Sequence, residues 1–330
     1  MGSVRILSDE DVAALFDWDG AIAALRAAYG APASEAMFPP RLMARGDGVW
    51  LRTLTGVMPG SPYMGAKMIA ASPRARAASY LIPLFDQRTT ALRALLAGNA
   101  VTGLRTAATS ALAADLLAVP GPRRIAVIGS GFEARTHLKA VASLGGVEAV
   151  TVFSPRAASR AAFAAEFAGQ PFAVAQAESA GQAVAGANLV LCAARSRDET
   201  PTFRGEWMRP GMTVISIGST LPEQREIDPE AIARADLIVA DMVDEVAHDT
   251  GDMIAAAREG VAFADKLIGL DALVSGAHPG RRSPGEIALY KSVGAAIQDL
   301  AVAGLCADRA EARGAGTTIP AFAPPIDKGK

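Results

Sequence analysis

The sequence predicts an α/β fold, in which a doubly wound parallel sheet is combined with a second α+β domain that carries an antiparallel meander. With 330 residues the chain exceeds the size at which a single hydrophobic core stops growing. Hydrophobic residues make up 51% of it, which is enough for two cores. Short apolar runs separated by tight turns fill residues 41–96, whereas apolar runs alternate with helical patterns from residue 125 onward.

The first of these regions begins with helices. Ser8-Asp-Glu-Asp11 has the pattern of a helix cap, and helical periodicity continues to about Tyr29. The strands of the meander are then expected at Arg41 to Arg45, Val49 to Leu54, Gly65 to Ala71, Tyr80 to Phe85 and Ala91 to Leu96. Residues 45–49 and 86–90 are expected to form hairpin loops. A helix over Thr106 to Ala118 and the turn Pro120-Gly-Pro122 close the region.

The second region has the alternation that is typical of a doubly wound parallel sheet. Its strands are predicted at Ile125–Ile128, Val150–Phe153, Leu189–Ala193, Thr213–Ile217 and Leu237–Ala240. A last helix is expected from Pro284 to about Ala307, followed after Gly314 by a loose strap. These patterns predict one domain over 1–118, a second over 119–302, and a return of 303–330 to the first.

The first predicted strand of the second domain ends in a glycine turn. Arg124-Ile-Ala-Val-Ile runs into Gly129-Ser-Gly131-Phe-Glu-Ala134, and a helical pattern follows directly. Gly129 allows the tight turn, Gly131 lets a pyrophosphate approach the backbone, and Ala134 lets helix and strand pack closely. The helix N-terminus offers N–H groups to the phosphates. The turn therefore predicts a dinucleotide-binding domain of Rossmann type.

Composition excludes several other classes. The net charge of -2 has no basic stripe, which argues against nucleic acid. No apolar run is long enough for a membrane span, and the N-terminus has no apolar signal region, so a cytoplasmic protein is expected. Cys192 and Cys306 lie too far apart for a metal motif, and His137, His248 and His278 lack ligand spacing. No metal site is expected.

Several longer motifs carry a resemblance to a known family. They are Leu104-Arg105-Thr106-Ala-Ala-Thr-Ser110, Gly205-Glu-Trp207-Met-Arg-Pro-Gly211, Ile217-Gly218-Ser219-Thr220, Arg225-Glu-Ile-Asp228 and Tyr290-Lys-Ser-Val-Gly294, the last expected to open the returning helix. From about Pro40 to Ala303 the chain resembles the ornithine cyclodeaminase/μ-crystallin family. The resemblance implies a homodimer in which the N-terminal β domains join into a barrel, so 1–118 becomes the substrate-binding and dimerisation domain. It also implies a nicotinamide cofactor. Members include cyclodeaminases, alanine dehydrogenases and imino-acid reductases, and some members bind small hormones.

The resemblance assigns two residues to the substrate. Arg41 matches an arginine that grips the substrate carboxylate, a role that suits a guanidinium fork. If the alignment has slipped, Arg45 or Arg52 takes that role. Lys67 matches a pocket lysine and stands in an otherwise apolar strand, either buried or as an outward-facing alternate. Burial would lower its pKa and suit it to donate a proton to a developing amine.

Further contacts follow from the same resemblance. Arg105 and Thr106 match contacts to the cofactor phosphates, with a helix cap beside a surface arginine as the alternative. Ser292, Val293 and Gly294 match a segment packed by the nicotinamide and substrate, with plain helix packing as the alternative. The remaining expected cofactor contacts are Ser79, Phe132, Glu133, Ala193, Ala194, Ile217 and Gly218, and the remaining expected substrate contacts are Met58 and Thr220.

Thr220 marks a departure from the family members that cyclise ornithine. Those members carry an aspartate here as the acid/base for deamination, and a lysine where this chain has Gln224. A threonine hydroxyl is no general base near neutral pH without a strong partner. The departure argues against cyclodeaminase activity and favours imine reduction.

The end of the second Rossmann strand indicates the cofactor. NAD-preferring enzymes place Asp or Glu there to hold the ribose 2′-hydroxyl. This chain instead has Ser154-Pro155-Arg156, with Arg160 one turn on, which suits a 2′-phosphate. NADP(H) is favoured, and acceptance of NAD(H) as well is the alternative.

The sequence therefore predicts an NAD(P)H-dependent reductase of small 2-imino acids, cyclic ketimine carboxylates or open-chain imines, with amino-acid dehydrogenation as the reverse reaction. Arg41 would hold the carboxylate and Lys67 would protonate or polarise the imine. The alternative is an NADP(H)-dependent small-ligand-binding protein of the μ-crystallin type with little catalysis. The expected partners are a small imino or amino acid and a second copy of the chain.

Overall fold

The computed structural model describes residues 2–195 and 200–327. Its strands are β1 (Ser3–Leu7), β2 (Leu42–Gly46), β3 (Val49–Val57), β4 (Tyr63–Ser72), β5 (Ala77–Asp86), β6 (Leu92–Ala97), β7 (Arg123–Ile128), β8 (Val147–Phe153), β9 (Ala173–Gln176), β10 (Leu189–Cys192), β11 (Thr213–Ser216), β12 (Leu237–Ala240), β13 (Leu267–Gly269), β14 (Ala288–Lys291) and β15 (Thr317–Pro320). Its helices are α1 (Asp9–Leu15), α2 (Trp18–Gly30), α3 (Gly98–Leu117), α4 (Phe132–Ser143), α5 (Ala157–Glu166), α6 (Ala180–Val184), α7 (Pro229–Arg234), α8 (Val243–Asp249), α9 (Gly251–Arg258), α10 (Leu270–Val274) and α11 (Ala296–Arg313).

The chain forms two compact units. Unit 1 comprises Met1–Thr109 and Ala295–Lys330, and unit 2 comprises Ser110–Gly294. The boundary between the units therefore lies within α3, whereas the sequence predicted it after residue 118. The chain returns to unit 1 at Ala295, whereas the sequence predicted a return at residue 303. This placement brings the whole of α11 into unit 1.

Unit 1 is built on a seven-stranded sheet with the order β15-β1-β6-β5-β4-β3-β2. Strands β2 to β6 form the expected antiparallel meander. Helix α11 packs on β3, β4 and β5 and against α2. The Ser8 cap of α1 is a complete capping box with Asp11, as its sequence predicts.

The expectation of a loose strap after Gly314 was wrong. Residues 317–320 form β15, which pairs antiparallel with β1, and β1 pairs parallel with β6. Strand β15 escaped prediction because it is mostly exposed and is held by backbone hydrogen bonds, which leave no apolar signature.

The longest helices of the described residues are α3 and α11. Helix α3 begins at Gly98, eight residues before the predicted start, because the Ala100 amide is bonded to the Asp9 carboxylate at 2.7 Å. This cap comes from a distant part of the chain, and a local pattern does not reveal it. No helix within residues 2–195 and 200–327 is long and apolar enough to cross a membrane.

Unit 2 is a parallel sheet of eight strands with the order β13-β12-β14-β11-β10-β7-β8-β9. Every pairing is parallel, and the strand order reverses between β7 and β10. This is the predicted Rossmann-type doubly wound sheet. In sheets of this class, ligands bind at the carboxyl edge near the reversal point. The central strands are buried on both faces, as in other all-parallel sheets.

The predicted helix from Pro284 to Ala307 was wrong at its N-terminal end. Ala288–Lys291 is the buried strand β14, paired with β11 and β12, and α11 starts only at Ala296. The run Ile287–Tyr290 is uniformly apolar, and such a run fits a strand buried on both faces as well as a buried helix. Gly294, with a φ of +87°, separates the strand from the helix.

Candidate functional site

The glycine turn after β7 has the geometry of a phosphate-binding turn. Gly129 has a φ of +117°, and a Cβ there would lie 2.5 Å from the Ala193 carbonyl oxygen, so only glycine fits. Gly131 is the N-cap of α4, and a Cβ there would meet nothing within 4 Å. Because Gly131 has no side chain, the N-cap residue forms no side-chain hydrogen bond with the first-turn amides of α4. Ala134 is fully buried beneath the turn. These residues fit a dinucleotide pyrophosphate.

A shallow pocket opens beside this turn. It is lined by Ser130, Gly131, Arg135, Arg156, Ala158, Ser159 and Ala162. Arg156 is exposed at the N-cap of α5, and the Ser130 hydroxyl donates a hydrogen bond of 2.9 Å to the Ser154 hydroxyl. Arg160 points into the unit, where it donates to the Ser154 carbonyl at 2.8 Å and pairs with Glu178 at 3.3 Å. The structure therefore brings Arg156 to the pocket and uses Arg160 to hold the Ser154 backbone.

The first turn of α4 contains the two other residues expected near the cofactor. Phe132 is exposed, and the Glu133 carboxylate lies 3.7 Å from Nδ1 of His137. The buried His137 ring bonds the Glu133 carbonyl through Nδ1 at 2.7 Å and the Ser110 hydroxyl through Nε2 at 3.0 Å. His137 thus ties α4 to α3 inside unit 2.

The segment after β14 is fixed by an aspartate that directly follows the neighbouring strand β12. The Asp241 carboxylate accepts hydrogen bonds from the Ser292 hydroxyl at 2.6 Å, the Val293 amide at 3.0 Å and the Gly294 amide at 2.8 Å. The segment Ser292–Gly294 is therefore a loop at the carboxyl edge of the sheet, and the alternative of helix packing does not apply to it.

The turns after β10 and β11 share one buried carboxylate. Glu226 accepts hydrogen bonds from the Ala194 amide at 3.0 Å, the Gly218 amide at 2.7 Å and the Ser216 hydroxyl at 2.7 Å. Burial raises the pKa of Glu226 to about 7, while Lys291 and the hydrogen bonds from Gly218 and Ser216 oppose that rise. The expected contacts Ala193, Ala194, Ile217 and Gly218 all lie in these two turns.

Thr220 and Gln224, the two departures from the cyclodeaminase pattern, are bonded to each other. The Thr220 amide and hydroxyl both donate to Oε1 of Gln224, at 3.0 and 3.2 Å. The pairing closes the loop on itself without an ionisable group.

Unit 1 contains a buried charge cluster on the inner face of its sheet. The Lys67 ammonium on β4 lies 2.8 Å from Oδ1 and 2.7 Å from Oδ2 of Asp299 on α11. Nε of Arg105 on α3 lies 2.8 Å from the same carboxylate. The Arg105 guanidinium also donates to Gln298, whose amide donates to the Tyr29 hydroxyl at 2.9 Å. All three charged side chains are at least nine-tenths buried.

The cluster has two cations for one carboxylate, and this imbalance contributes to the lowered pKa of the lysine. Burial lowers the pKa of Lys67 to about 8, with Arg105 and then Arg41 adding to the decrease and Asp299 opposing it. The structure thus brings Arg41, Lys67 and Arg105 within electrostatic reach of each other. The Lys67 ammonium is buried, so the outward-facing alternative is excluded.

The strand register decides which other predicted residues share this face. Leu54 pairs with Lys67 and Arg52 with Ile69, so Arg52 lies on the same face as Lys67. Ser79 pairs with Ala70 and lies on the opposite face. Ser79 is therefore separated from the charge cluster.

Two more predicted contacts take part in structural bonds. Met58 is buried at the end of β3, where its carbonyl accepts from Gln87 at 2.7 Å. Thr106 lies inside α3 and bonds its hydroxyl to the Thr102 carbonyl at 2.6 Å, so it caps no helix.

Sequence reasoning missed the side chains that hold these sites in place. Asp299 and Gln298 stand in a helix whose start was misplaced, and Asp241 follows a short apolar strand with no motif around it. Glu226 lies inside the motif Arg225-Glu-Ile-Asp228, which carried the family resemblance but no assigned role. The signal that marks such residues is a charged side chain inside a run that is otherwise buried.

The fold and the glycine turn define a Rossmann-type α/β protein with a second, sheet-based unit. The chain belongs to the ornithine cyclodeaminase/mu-crystallin family, whose model matches residues 6–314. It is 29% identical to the Delta(1)-pyrroline-2-carboxylate reductase of Bacillus cereus, over 87% of this chain and 85% of the relative. It is 30% identical to the ketimine reductase mu-crystallin of Mus musculus, over 68% and 67%. The structure of Thermococcus litoralis Delta(1)-pyrroline-2-carboxylate reductase in complex with NADH and L-proline superimposes with a TM-score of 0.86 at 27% identity, covering 95% of this chain and 99% of that one.

Proposed function

We propose that this protein is an NAD(P)H-dependent reductase of small 2-imino acids that also runs in reverse as an amino-acid dehydrogenase. The observation that carries the proposal is the buried cluster of Lys67, Asp299 and Arg105, in which a lysine of lowered pKa faces an excess of positive charge. Relatives named for the reduction of pyrroline carboxylate and of ketimines support it.

The excess positive charge suits an anionic substrate. With two buried cations and one carboxylate, the cluster is left one negative charge short, which a substrate carboxylate supplies. Arg41 holds that carboxylate through its planar fork, and Arg45 and Arg52, which share a sheet face by register, are the alternatives. Lys67 donates a proton to the imine nitrogen as the carbon is reduced, so that the C=N bond becomes CH–NH.

A nicotinamide dinucleotide is the hydride source in this proposal. Gly129, Gly131 and Ala134 would hold its pyrophosphate. When bound, this cofactor supplies a hydride to the imine carbon. The turns at Ala193–Ala194 and Ile217–Gly218, with the loop Ser292–Gly294, would contact its nicotinamide half.

We also propose a preference for NADP(H), with NAD(H) accepted more weakly. Ser154 occupies the place of a ribose-binding carboxylate, and Arg156 lines the adjoining pocket with Ser159. A guanidinium there favours a 2′-phosphate. Arg160 supports the site indirectly, because it anchors the Ser154 carbonyl.

Unit 1 is proposed as the substrate-binding and dimerisation domain. The sheet face opposite Lys67 exposes large apolar side chains, namely Leu42, Val49, Leu51 and Leu81, as expected of a face covered by a second copy of the chain. Light scattering on the purified protein gives the mass that checks this.

The proposal is tested by following NADPH and NADH oxidation with cyclic ketimine carboxylates of five and six ring members, and with pyruvate or glyoxylate plus an amine. Saturable turnover, faster with NADPH, is expected. Tight NADPH binding without turnover on any of these imines would favour the binding-protein alternative. Lys67→Met should remove most of the turnover and keep cofactor binding, whereas Lys139→Met, on the exposed side of α4, serves as the matched control.

A further inference from the structure

Glu226 is the point at which three loops of unit 2 are joined. Its carboxylate holds the Ala194 amide in one turn, and the Gly218 amide and the Ser216 hydroxyl in the next. Its own amide donates to Asp252 on α9 at 2.8 Å. Its carbonyl accepts from the amides of Thr202 and Phe203 at 2.8 and 2.9 Å. Glu226 is fully buried, so none of these bonds is exchanged with water.

The backbone at Gly218 is shaped around this carboxylate. A Cβ at Gly218 would lie 2.3 Å from Oε1 of Glu226 and 3.0 Å from the Ala194 carbonyl oxygen. The two turns and the carboxylate therefore approach so closely that a side chain at this position would separate them. Both turns follow strands that end at the carboxyl edge of the sheet, next to the reversal point where dinucleotides bind.

We infer that Glu226 is a positioning residue for the dinucleotide, because its ionised carboxylate sets the backbone of the Ala193–Ala194 and Ile217–Gly218 turns against which the nicotinamide half is bound. The inference rests on the proposed function. Glu226 touches no substrate in this assignment and acts through the two turns.

The charge of Glu226 is balanced by neighbours on each element packed against it. Lys291 on β14 donates to the Ser216 hydroxyl at 3.0 Å, and that hydroxyl donates to Glu226. Asp252 on α9 pairs with Lys291 at 3.0 Å and with Arg225 at 3.4 Å. Two anions therefore face two cations. The Cys192 thiol on β10 stays protonated, because burial holds its pKa well above the usual value.

Protonation of Glu226 would disturb the turns. The ionised carboxylate accepts from all three donors, whereas the acid has an O–H of its own that competes with one of them. With a pKa of about 7 for Glu226, cofactor affinity is expected to fall as pH decreases from 8 to 6. The Ser216 hydrogen bond favours the ionised form, so its loss would move the midpoint of this decrease to higher pH.

The experiment measures Kd for NADH and NADPH between pH 6 and 8 in the full chain and in four variants. Glu226→Gln is expected to weaken both ligands at least about tenfold at pH 8 and to remove the pH dependence that the protein contributes. Ser216→Ala keeps two of the three donors, and its midpoint should move upward. Glu223→Gln, an exposed carboxylate of the same loop, should match the wild type. Gly218→Ala should weaken binding at every pH.

The outcomes separate the inference from the proposed function. If the wild-type chain binds neither dinucleotide, the proposed function fails and the inference with it. If the wild type binds but a folded Glu226→Gln variant matches the Kd of the wild type at both pH 6 and pH 8, the inference alone is overturned. Should Glu226→Gln fail to fold, Ser216→Ala decides, because an unchanged midpoint in that variant also overturns the inference.

Discussion

The carboxylate of Asp299 holds the ammonium of Lys67 at 2.8 Å in the interior of unit 1, and it holds Nε of Arg105 at the same distance. The three groups come from a strand and two helices that are far apart in sequence. One carboxylate is therefore paired with two buried cations. Substitutions of the carboxylate and of the lysine are expected to affect stability and proton transfer differently.

The first prediction concerns stability. Lys67→Met leaves Asp299 paired with Arg105, so the cluster stays balanced, whereas Asp299→Asn leaves two buried cations without an anion. Breaking a buried pair in this way costs about 3–5 kcal/mol. Urea denaturation should show a large loss for Asp299→Asn and a much smaller one for Lys67→Met. Asp19→Asn, an exposed carboxylate in α2, is the control, and equal losses in the two cluster variants would contradict this account.

The second prediction concerns pH. Because Lys67 must be protonated to donate, and its pKa is about 8, kcat/KM for imine reduction should fall as pH rises through about 8. Removing the proton donor in Lys67→Met should lower kcat/KM by at least about 100-fold. An alkaline limb unchanged in the residual activity of that variant would show that another group titrates.

The same lysine should affect stability with the opposite sign. Its pKa is about 8 in the folded chain and 10.5 as an unperturbed lysine, so between these values the unfolded chain binds more protons. Stability contributed by Lys67 then rises with pH across this window, while activity falls. To isolate the contribution of Lys67, the free energy of unfolding is measured for the wild type and for Lys67→Met from pH 7.5 to 10.5, and the difference is followed with pH. A difference that does not change with pH would rule out a lowered pKa.

The extent to which the sequence predicted these features depended on how local their signals are. Gly129, Gly131 and the meander strands follow from short patterns, and the structure confirms the turn and the strands. Asp299 was missed because its importance comes from Lys67, 232 positions away. A local window over α11 does not reveal that pairing.

Strand β14 shows a second physical limit. An apolar run of four residues fits a buried strand or a buried helix equally well, and the position between β11 and β12 decides the outcome. The same holds for the loop Ser292–Gly294, whose shape is set by Asp241, directly after the neighbouring strand β12. Residues that hold a site in place through tertiary contacts are thus the part of the site that the sequence hides.

The third prediction separates the two glycines of the turn. Gly129→Ala places a Cβ 2.5 Å from the Ala193 carbonyl and forces a φ of +117° on alanine, so it should lower both stability and cofactor affinity. Gly131→Ala meets no protein atom within 4 Å, so the free energy of unfolding should stay close to that of the wild type. Dinucleotide affinity should nevertheless fall at least tenfold, because the methyl group occupies space needed by the pyrophosphate. A tenfold decrease corresponds to about 1.4 kcal/mol of binding free energy. Calorimetric unfolding and cofactor titration on both variants test this, and full affinity in Gly131→Ala would place the pyrophosphate elsewhere.

The fourth prediction concerns cofactor choice. Arg156 is exposed beside Ser130 and Ser159, whereas Arg160 is committed to Ser154 and Glu178. A charge-assisted contact to a 2′-phosphate contributes about 1.5–3 kcal/mol, so Arg156→Ala should raise the KM for NADPH roughly 10- to 100-fold and leave that for NADH nearly unchanged. Arg258→Ala, an exposed arginine at the end of α9, should change neither value. Equal effects of Arg156→Ala on the two cofactors would show that this arginine contacts the part they share, and the preference would then have to come from Ser154 or Ser159.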